Sequence, residues 1–242
     1  MTVSSARNNA APAARPSAAK GRIRRSNEEA ILRAAESEFA RAGFKGARVA
    51  EIARRAGIPQ ANLHYYFKGK RALYRAVLDN ILTLWLAETD IIRHESDPAA
   101  AIEQYVRMKM HFSRRYPEAS KVFANEVIHG ARELGPYLRK ELKDLVDDRA
   151  SVLEGWMRTG RMAPLDPRHL FFFIWAATQT YADFETQVRA VLGVKRLDDD
   201  AYTRATEEIV ALVLRACGFP HVAIHHGTRR RMRGPSKRRA AQ

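Results

Sequence analysis

Apolar residues recur at spacings of three and four along residues 26–217, which is the period of the α-helix. We find no segment in which apolar and polar residues alternate as they do in a half-buried strand. The sequence also marks where helices begin and end. The pairs Asp97-Pro98 and Asp166-Pro167 are typical helix starts, and glycines that would end helices stand at positions 130, 160, 193 and 218. The chain is therefore predicted to be all-α.

The pattern predicts about nine helices in two groups. The first three are short and basic, and they cover residues 28–42, 49–56 and 60–66. Six longer helices with apolar faces follow, at 70–93, 98–116, 117–129, 134–159, 167–192 and 199–217. We place the boundary between two domains, 26–72 and 73–217, near residue 72, with the fourth helix continuing across it. Residues 1–25 and 218–242 are predicted to be disordered basic arms.

The positive charge of the chain is concentrated at its ends. The net charge is +15, and residues 1–25 carry six basic and no acidic side chains, while residues 218–242 carry seven basic and none acidic. Residues 26–72 add +4, and residues 73–217 carry −2. Cations gathered in this way indicate a polyanionic partner, most often nucleic acid and less often an anionic membrane.

Several protein classes are excluded by what the sequence lacks. A single cysteine, Cys217, forms no intrachain disulfide and no multi-cysteine metal site, and it fits a cytoplasmic location. The longest apolar run, residues 170–177, is far shorter than the roughly 20 residues that a membrane span needs. The first 25 residues contain no hydrophobic block of a secretory signal. No membrane partner is therefore expected.

An enzyme activity has little support in the sequence. We find no glycine-rich phosphate loop, no serine-hydrolase elbow and no zinc-protease motif, so we expect neither catalysis nor a cofactor. His221, His225 and His226 lie close together, but the surrounding segment is glycine-flanked, basic and without carboxylates. A solvated tail is favoured there over a metal site, because metal binding needs several placed ligands.

Residues 49–71 have the pattern of a helix-turn-helix. A short helix with one apolar face is followed by the turn Gly57-Ile58-Pro59 and a second short helix. The outer face of that second helix carries polar residues, with amides that can pair with adenine edges and nearby cations that can neutralise phosphates. The pattern alone also fits a solvated helical hairpin, and the basic arms favour DNA binding.

The segment ARVAEIARRAGIPQANLHYYFKGKRALYRAVL, residues 47–78, resembles the DNA-binding segment of the TetR family of bacterial transcriptional regulators. The matching residues are Ile52-Ala53, Ala56-Gly57-Ile58, Tyr65-Tyr66-Phe67 and Lys70-Arg71-x-Leu73. Pro59 replaces the family's usual serine, and Arg71 replaces its usual acid. The resemblance implies contacts to DNA bases and backbone from Arg48, Gln60, Ala61, Asn62, His64, Tyr65 and Lys70.

The eighth predicted helix opens with HLFFFIWAATQTYADFETQV, residues 169–188, which is apolar on nearly every side. Such a helix is normally buried between several others. Its stripe of Phe171, Trp175, Thr178, Gln179 and Ala182 includes an amide that needs hydrogen-bond partners. A flat ligand with a carbonyl beside an N–H would match that amide, and the tryptophans at 85 and 175 could stack on it. The pattern alone favours core packing for both tryptophans.

The segments LTLWL, SRRYPEASKVFANE and LDPRHLFFFIWAATQTYADFETQVRAV resemble the pyrimidine-utilisation repressor branch of the TetR family, and the likeness covers residues 26–217. Members of that branch sense uracil or thymine. The resemblance implies a ligand pocket that includes Trp85, Glu126, Trp175, Gln179 and Tyr181. It also implies a homodimer formed by the eighth and ninth helices.

Together these expectations describe a dimeric cytoplasmic repressor that binds double-stranded operator DNA. Residues 26–72 form its helix-turn-helix DNA-binding domain, and residues 73–217 form its ligand-binding and dimerisation domain. Three alternatives stay open: a TetR-type regulator with another heterocyclic effector, a constitutive architectural DNA-binding protein, and an enzyme with an incidental basic front end.

Overall fold

The computed structural model describes residues 16–86 and 91–220, and no strand occurs in these two ranges, so the all-α prediction is confirmed. The chain forms α1 (Pro16–Gly46), α2 (Val49–Ala56), α3 (Gln60–Tyr66), α4 (Lys70–Leu86), α5 (Pro98–Arg115), α6 (Pro117–Ile128), α7 (Gly135–Tyr137), α8 (Lys143–Arg158), α9 (Pro167–Asp183), α10 (Glu185–Leu192) and α11 (Asp199–Ala216). A π-helical turn, Leu138–Leu142, joins α7 to α8.

The first helix starts earlier than its apolar pattern predicts. It begins at Pro16 and not near residue 28, so residues 16–25 are helical, whereas the sequence assigned them to a disordered arm. The physical reason is that proline suits a first helical turn and that the alanines and arginines that follow are good helix formers. The rest of the two predicted arms, 1–15 and 221–242, lies outside the described residues, together with the three histidines of the tail.

Two other predicted helices differ in the structure. The fourth is described as far as Leu86, residues 87–90 lie outside the described residues, and residues 91–96 are not helical, so it does not reach residue 93. The predicted helix 167–192 is broken at Phe184, where φ is −114° and ψ is 29°, into α9 and α10. The predicted helix starts are correct at both aspartate–proline pairs. Asp97 accepts a hydrogen bond from the Ala100 N–H at 2.9 Å, and Asp166 accepts bonds from the N–H groups of Arg168 and His169.

The helices enclose two hydrophobic cores. One lies among α1–α4 and α6 and includes Ile31, Phe39, Ile52, Leu63 and Leu73. The other lies among α5, α8, α9 and α11 and includes Ile102, Leu153, Trp156, Ile174 and Val210. Trp85 and Tyr116 pack against both cores, so they lie where the two halves of the molecule meet. Within the described ranges no helix has both the length and the apolar character that crossing a bilayer requires.

Candidate functional site

The hairpin of α2 and α3 is held by a tight turn and a small apolar contact. Ile52 and Ala53 of α2 and Leu63 of α3 are buried in the same core. Gly57 ends α2 with a φ of 70°, a conformation that glycine adopts at little cost, and its N–H donates to the carbonyls of Ala53 and Arg54. Pro59 precedes α3 without any side-chain cap. The helix-turn-helix predicted from the sequence is therefore present.

Six of the seven residues predicted to contact DNA lie on the surface of this hairpin. Arg48 immediately precedes α2, and the others belong to α3; all are exposed: Arg48, Gln60, Ala61, Asn62, His64 and Tyr65. The Tyr65 side chain is the most prominent, with 74% of its surface exposed. Its ring packs edge-on against Tyr66, with 5.4 Å between centroids. The exposed side of α3 is thus a polar surface with one projecting aromatic ring.

The seventh residue, Lys70, has a different environment. Its ammonium donates hydrogen bonds to the carbonyl oxygens of Lys45 at 3.1 Å and Ala47 at 2.8 Å. It also lies 5.0 Å from the centroid of the Phe44 ring. These carbonyls lie in the segment that leads into α2, beyond the break in α1 at Gly43, where φ is 65° and ψ is 173°. Lys70 therefore anchors the start of α4 to the link between α1 and α2.

A second feature is a cavity of about 100 Å³, partly open to solvent, between α4, α5, α6, α9 and the π-helical turn. Aromatic side chains dominate its walls, and its lining consists of Trp85, Tyr105, Lys109, Phe123, Tyr137, Leu142, Leu145, Trp175 and Gln179. A smaller cavity of about 20 Å³ adjoins it and shares Trp85, Lys109 and Gln179. The three residues that sequence reasoning linked to a flat ligand, Trp85, Trp175 and Gln179, thus line one space.

Two polar groups of this cavity have hydrogen-bonding capacity that the protein does not use: the Tyr105 hydroxyl and the Gln179 amide. The indole Nε1 of Trp175 donates to the Tyr105 hydroxyl oxygen at 2.7 Å, which leaves the hydroxyl proton available for another acceptor. Among the described residues, the Gln179 side chain has no hydrogen-bond partner. The Gln179 amide is half-buried and faces this space, so its donor and acceptor are available to a polar ligand.

Lys109 is the cavity residue that sequence reasoning missed. It lies one turn after Tyr105 on α5, with its ammonium 5.4 Å from the centroid of the Tyr105 ring. Burial lowers the pKa of Lys109 to about 8. A signal was present in the sequence, because Ile102, Tyr105, Val106, Lys109 and Met110 share one helical face, and a lysine interrupts an otherwise apolar stripe.

Two residues predicted to line the pocket lie elsewhere. Glu126 is buried, but its carboxylate accepts hydrogen bonds from the Tyr74 hydroxyl at 3.0 Å and from the Glu133 N–H at 2.6 Å. Tyr181 packs against Tyr202 of α11, with 6.2 Å between ring centroids. Neither is among the residues that line the two cavities. Tyr181 follows Gln179 by two positions, which turns its side chain about 200° around the axis of α9.

Glu126 belongs to a polar cluster that joins α4 to the α6–α7 connection. Glu133 binds the guanidinium groups of both Arg71, at 2.7 Å, and Arg75. Its side chain is only 7% exposed, whereas both arginine side chains are more than half exposed. We call these five residues, Arg71, Tyr74, Arg75, Glu126 and Glu133, the α4 latch. Through it the first two turns of α4 are held to the connection that follows α6.

Comparison with known protein families decides what this arrangement is. Residues 31–77 match the family model described as bacterial regulatory proteins, tetR family, and residues 78–220 match that of the YcdC-like protein, C-terminal region. The chain belongs to the TetR family. It is accordingly a DNA-binding transcription regulator and not an enzyme.

Individual relatives agree with this assignment. The HTH-type transcriptional regulator RutR of Escherichia coli strain K12 is 43% identical over 187 residues, which cover 77% of this chain and 88% of RutR. The HTH-type transcriptional repressor NicS of Pseudomonas putida is 29% identical over 134 residues, 54% of this chain and 61% of NicS.

Solved structures share the fold of this TetR-family regulator. The transcriptional regulator SCO4942 from Streptomyces coelicolor is 26% identical with a TM-score of 0.59, and the match covers 80% of this chain and 99% of that one. The ketosteroid transcriptional regulator KstR2 of Mycobacterium tuberculosis has a TM-score of 0.65 at 18% identity, over 78% of this chain and 94% of KstR2. At that identity the likeness supports the fold alone.

Proposed function

We propose that this regulator is a dimeric repressor whose affinity for operator DNA is controlled by uracil or thymine bound between Trp85 and Trp175. The observation that carries the proposal is the unpartnered amide of Gln179 in a cavity with two indole rings. The resemblance to the pyrimidine-utilisation branch and the 43% identity with RutR support the choice of effector.

The cavity chemistry suits a pyrimidine with an imide edge. The Gln179 amide N–H donates to a ring carbonyl while its oxygen accepts from the adjacent ring N–H, so one side chain reads both groups. The indoles of Trp85 and Trp175 supply flat apolar surfaces for the ring faces. The free proton of the Tyr105 hydroxyl is a further donor for a carbonyl oxygen.

The route from the cavity to the DNA runs along α4. Trp85 lies 15 residues after Lys70 on this helix, which corresponds to about 22 Å. At the N-terminal end of α4, the α4 latch holds the helix to the α6–α7 connection. Phe123 of α6 and Tyr137 of α7 line the cavity together with Trp85. A ligand that contacts Trp85, Phe123 and Tyr137 together biases the angle between α4 and α6. The hairpin attached to α4 moves with it.

The DNA contacts that we propose come from the exposed surface of the hairpin. Asn62 and His64 on α3 read base edges, Tyr65 and Gln60 contact bases or backbone, and Ala61 allows close approach. Arg48 contacts a phosphate from the start of α2. Lys70 acts mainly by holding the start of α4 in place, and the DNA backbone passes beside it. Two such hairpins in a dimer must lie about 34–36 Å apart to read one face of a duplex.

The dimer contact that we propose is an apolar surface on α9, α10 and α11. The prediction that α9 is buried on every side is wrong for the single chain, because Phe172 and Phe173 are 52% and 51% exposed. Further exposed apolar side chains follow along this part of the chain: Phe184, Val191, Leu192 and Leu212. Exposed apolar patches of this kind mark protein interfaces, and a second copy of the chain would cover this one.

The effector assignment is tested by replacing Gln179. Uracil at 100 times its dissociation constant should stabilise the wild-type protein by about 2.7 kcal/mol, a rise in melting temperature of roughly 5–10 °C. Gln179→Ala should remove this rise because the ring loses both hydrogen bonds, while the exposed Gln187→Ala should retain it. A full shift in Gln179→Ala, or no shift from uracil or thymine in the wild type, would refute the proposal.

The DNA-reading surface is tested with Asn62→Ala. Against a duplex selected from a random library, this change should weaken binding about 5–150-fold, since an amide pair to a base carries about 1–3 kcal/mol of discrimination. Binding to an unrelated duplex should change little. Asn80→Ala, an equally exposed asparagine in the middle of α4, is the matched control. Equal weakening on both duplexes would show that Asn62 does not read bases.

The dimer surface is tested by sedimentation of Phe173→Glu. A carboxylate at the centre of the apolar surface should convert the dimer to monomers, because a charge buried without a partner costs several kcal/mol. The control is Ile128→Glu, which changes an apolar side chain that is 72% exposed at the end of α6. A dimeric Phe173→Glu variant, or a monomeric wild type, contradicts this interface.

A further inference from the structure

We infer that Lys109 makes the cavity selective for planar rings that bind as anions, with the negative charge held beside its ammonium group. The inference rests on the proposed function of the cavity as a ligand site, and it specifies the charge that the bound ligand carries. The chemical class comprises rings with an acidic N–H conjugated to carbonyls, and it extends to ring carboxylates, which also present an anionic oxygen.

The position of Lys109 is central to the site. It lines both the larger and the smaller cavity, and so do Trp85 and Gln179. Among the residues that line these two cavities, Lys109 is the one with a charged side chain. A group bound against Gln179 therefore lies within the field of one cation and faces no carboxylate from the lining.

Neighbouring charged groups do not neutralise Lys109. The nearby acid Asp183 accepts a hydrogen bond from the Ser120 hydroxyl at 2.6 Å, and Ser120 lines the smaller cavity. Within the described part of the chain, no carboxylate forms an ion pair with Lys109, whose contact is the face of the Tyr105 ring. Burial alone accounts for its lowered pKa. An unpaired cation in such a place is unfavourable for the empty protein, and a ligand anion supplies the missing partner.

The ring chemistry allows Gln179 and Lys109 to act together. Uracil has two ring N–H groups, and one of them with its adjacent carbonyl pairs with the Gln179 amide. When the other N–H loses its proton to solvent, the negative charge spreads over that nitrogen, its adjacent carbonyl oxygen and, through the ring double bond, the second carbonyl oxygen. Lys109 remains an ammonium and donates to this edge. No bond other than the N–H bond is broken.

The experiment measures dissociation constants at pH 7 by calorimetry for two isosteric pairs of ligands. The first pair is uracil and 5-fluorouracil, which differ little in size but greatly in N–H acidity. The second pair is a pyridine carboxylate and the corresponding carboxamide. The full chain is used as wild type, as Lys109→Met, which removes the charge, and as Lys109→Arg, which keeps it. Lys121→Met, on α6 and outside the cavity lining, is the matched control.

The wild type should bind the more acidic member of at least one pair about 10–100-fold more tightly, as charge-assisted hydrogen bonds do. Lys109→Met should lose this preference, while Lys109→Arg and Lys121→Met keep it. If Lys109 only donated to a neutral carbonyl, fluorination would bring no gain, because it makes the carbonyl oxygens less basic. A wild type without preference in either pair, or a preference that survives in Lys109→Met, overturns the inference.

The outcomes separate this inference from the proposed effector. If only the carboxylate binds, with a preference that depends on Lys109, the pyrimidine effector is wrong and the inference stands. If uracil binds through Gln179 but 5-fluorouracil binds no better and the carboxylate is not favoured, the effector stands and the inference is overturned. Misfolding of Lys109→Met is checked by its melting temperature without ligand, which should equal or exceed that of the wild type.

Discussion

The packing of Trp85 against two hydrophobic cores at once is the constraint on which the rest of the molecule depends. One core fixes the helix-turn-helix hairpin, and the other fixes the helices around the cavity. Because Trp85 also lines that cavity, a ligand that contacts Trp85 acts directly on the junction of the two cores. Close-packed interiors transmit such changes because they have few voids to absorb them.

The two ends of α4 are held by interactions of different kinds. Its start is fixed by polar groups: Lys70 bonds to carbonyls in the link between α1 and α2, and the α4 latch binds Arg71 and Arg75 to Glu133. Its far end is fixed by aromatic packing, with Trp85 edge-on to Phe123 at 4.6 Å between centroids. Directional polar contacts restrict the orientation of α4 at its start, whereas its far end depends on aromatic packing, which is less directional. Arg71, which departs from the usual family residue, takes part in the polar end.

Much of this structure could be predicted from the sequence because it depends on local interactions. The capping by Asp97 and Asp166, the Gly57 turn and the apolar faces of the helices are encoded within a few residues. The stripe that puts Trp175 and Gln179 on one face of α9 follows from helical period alone. Glu126 was misplaced because its partners, Tyr74 and Glu133, are set by packing between helices. Lys109 was missed because its significance appears only when α4 and α9 pack beside it. The exposure of Phe172 and Phe173 was not expected, because an apolar helix face by itself predicts burial.

The central claim is that a ligand in the cavity and DNA on α3 are coupled through α4. The most direct test is the affinity for a selected operator duplex, measured by fluorescence anisotropy with and without saturating uracil. We predict a change of about 5–150-fold, with the same factor in the uracil affinity when DNA is saturating, because coupling between two binding sites is reciprocal. Equal DNA affinity in the two conditions, with calorimetry showing that uracil is bound, would contradict the account.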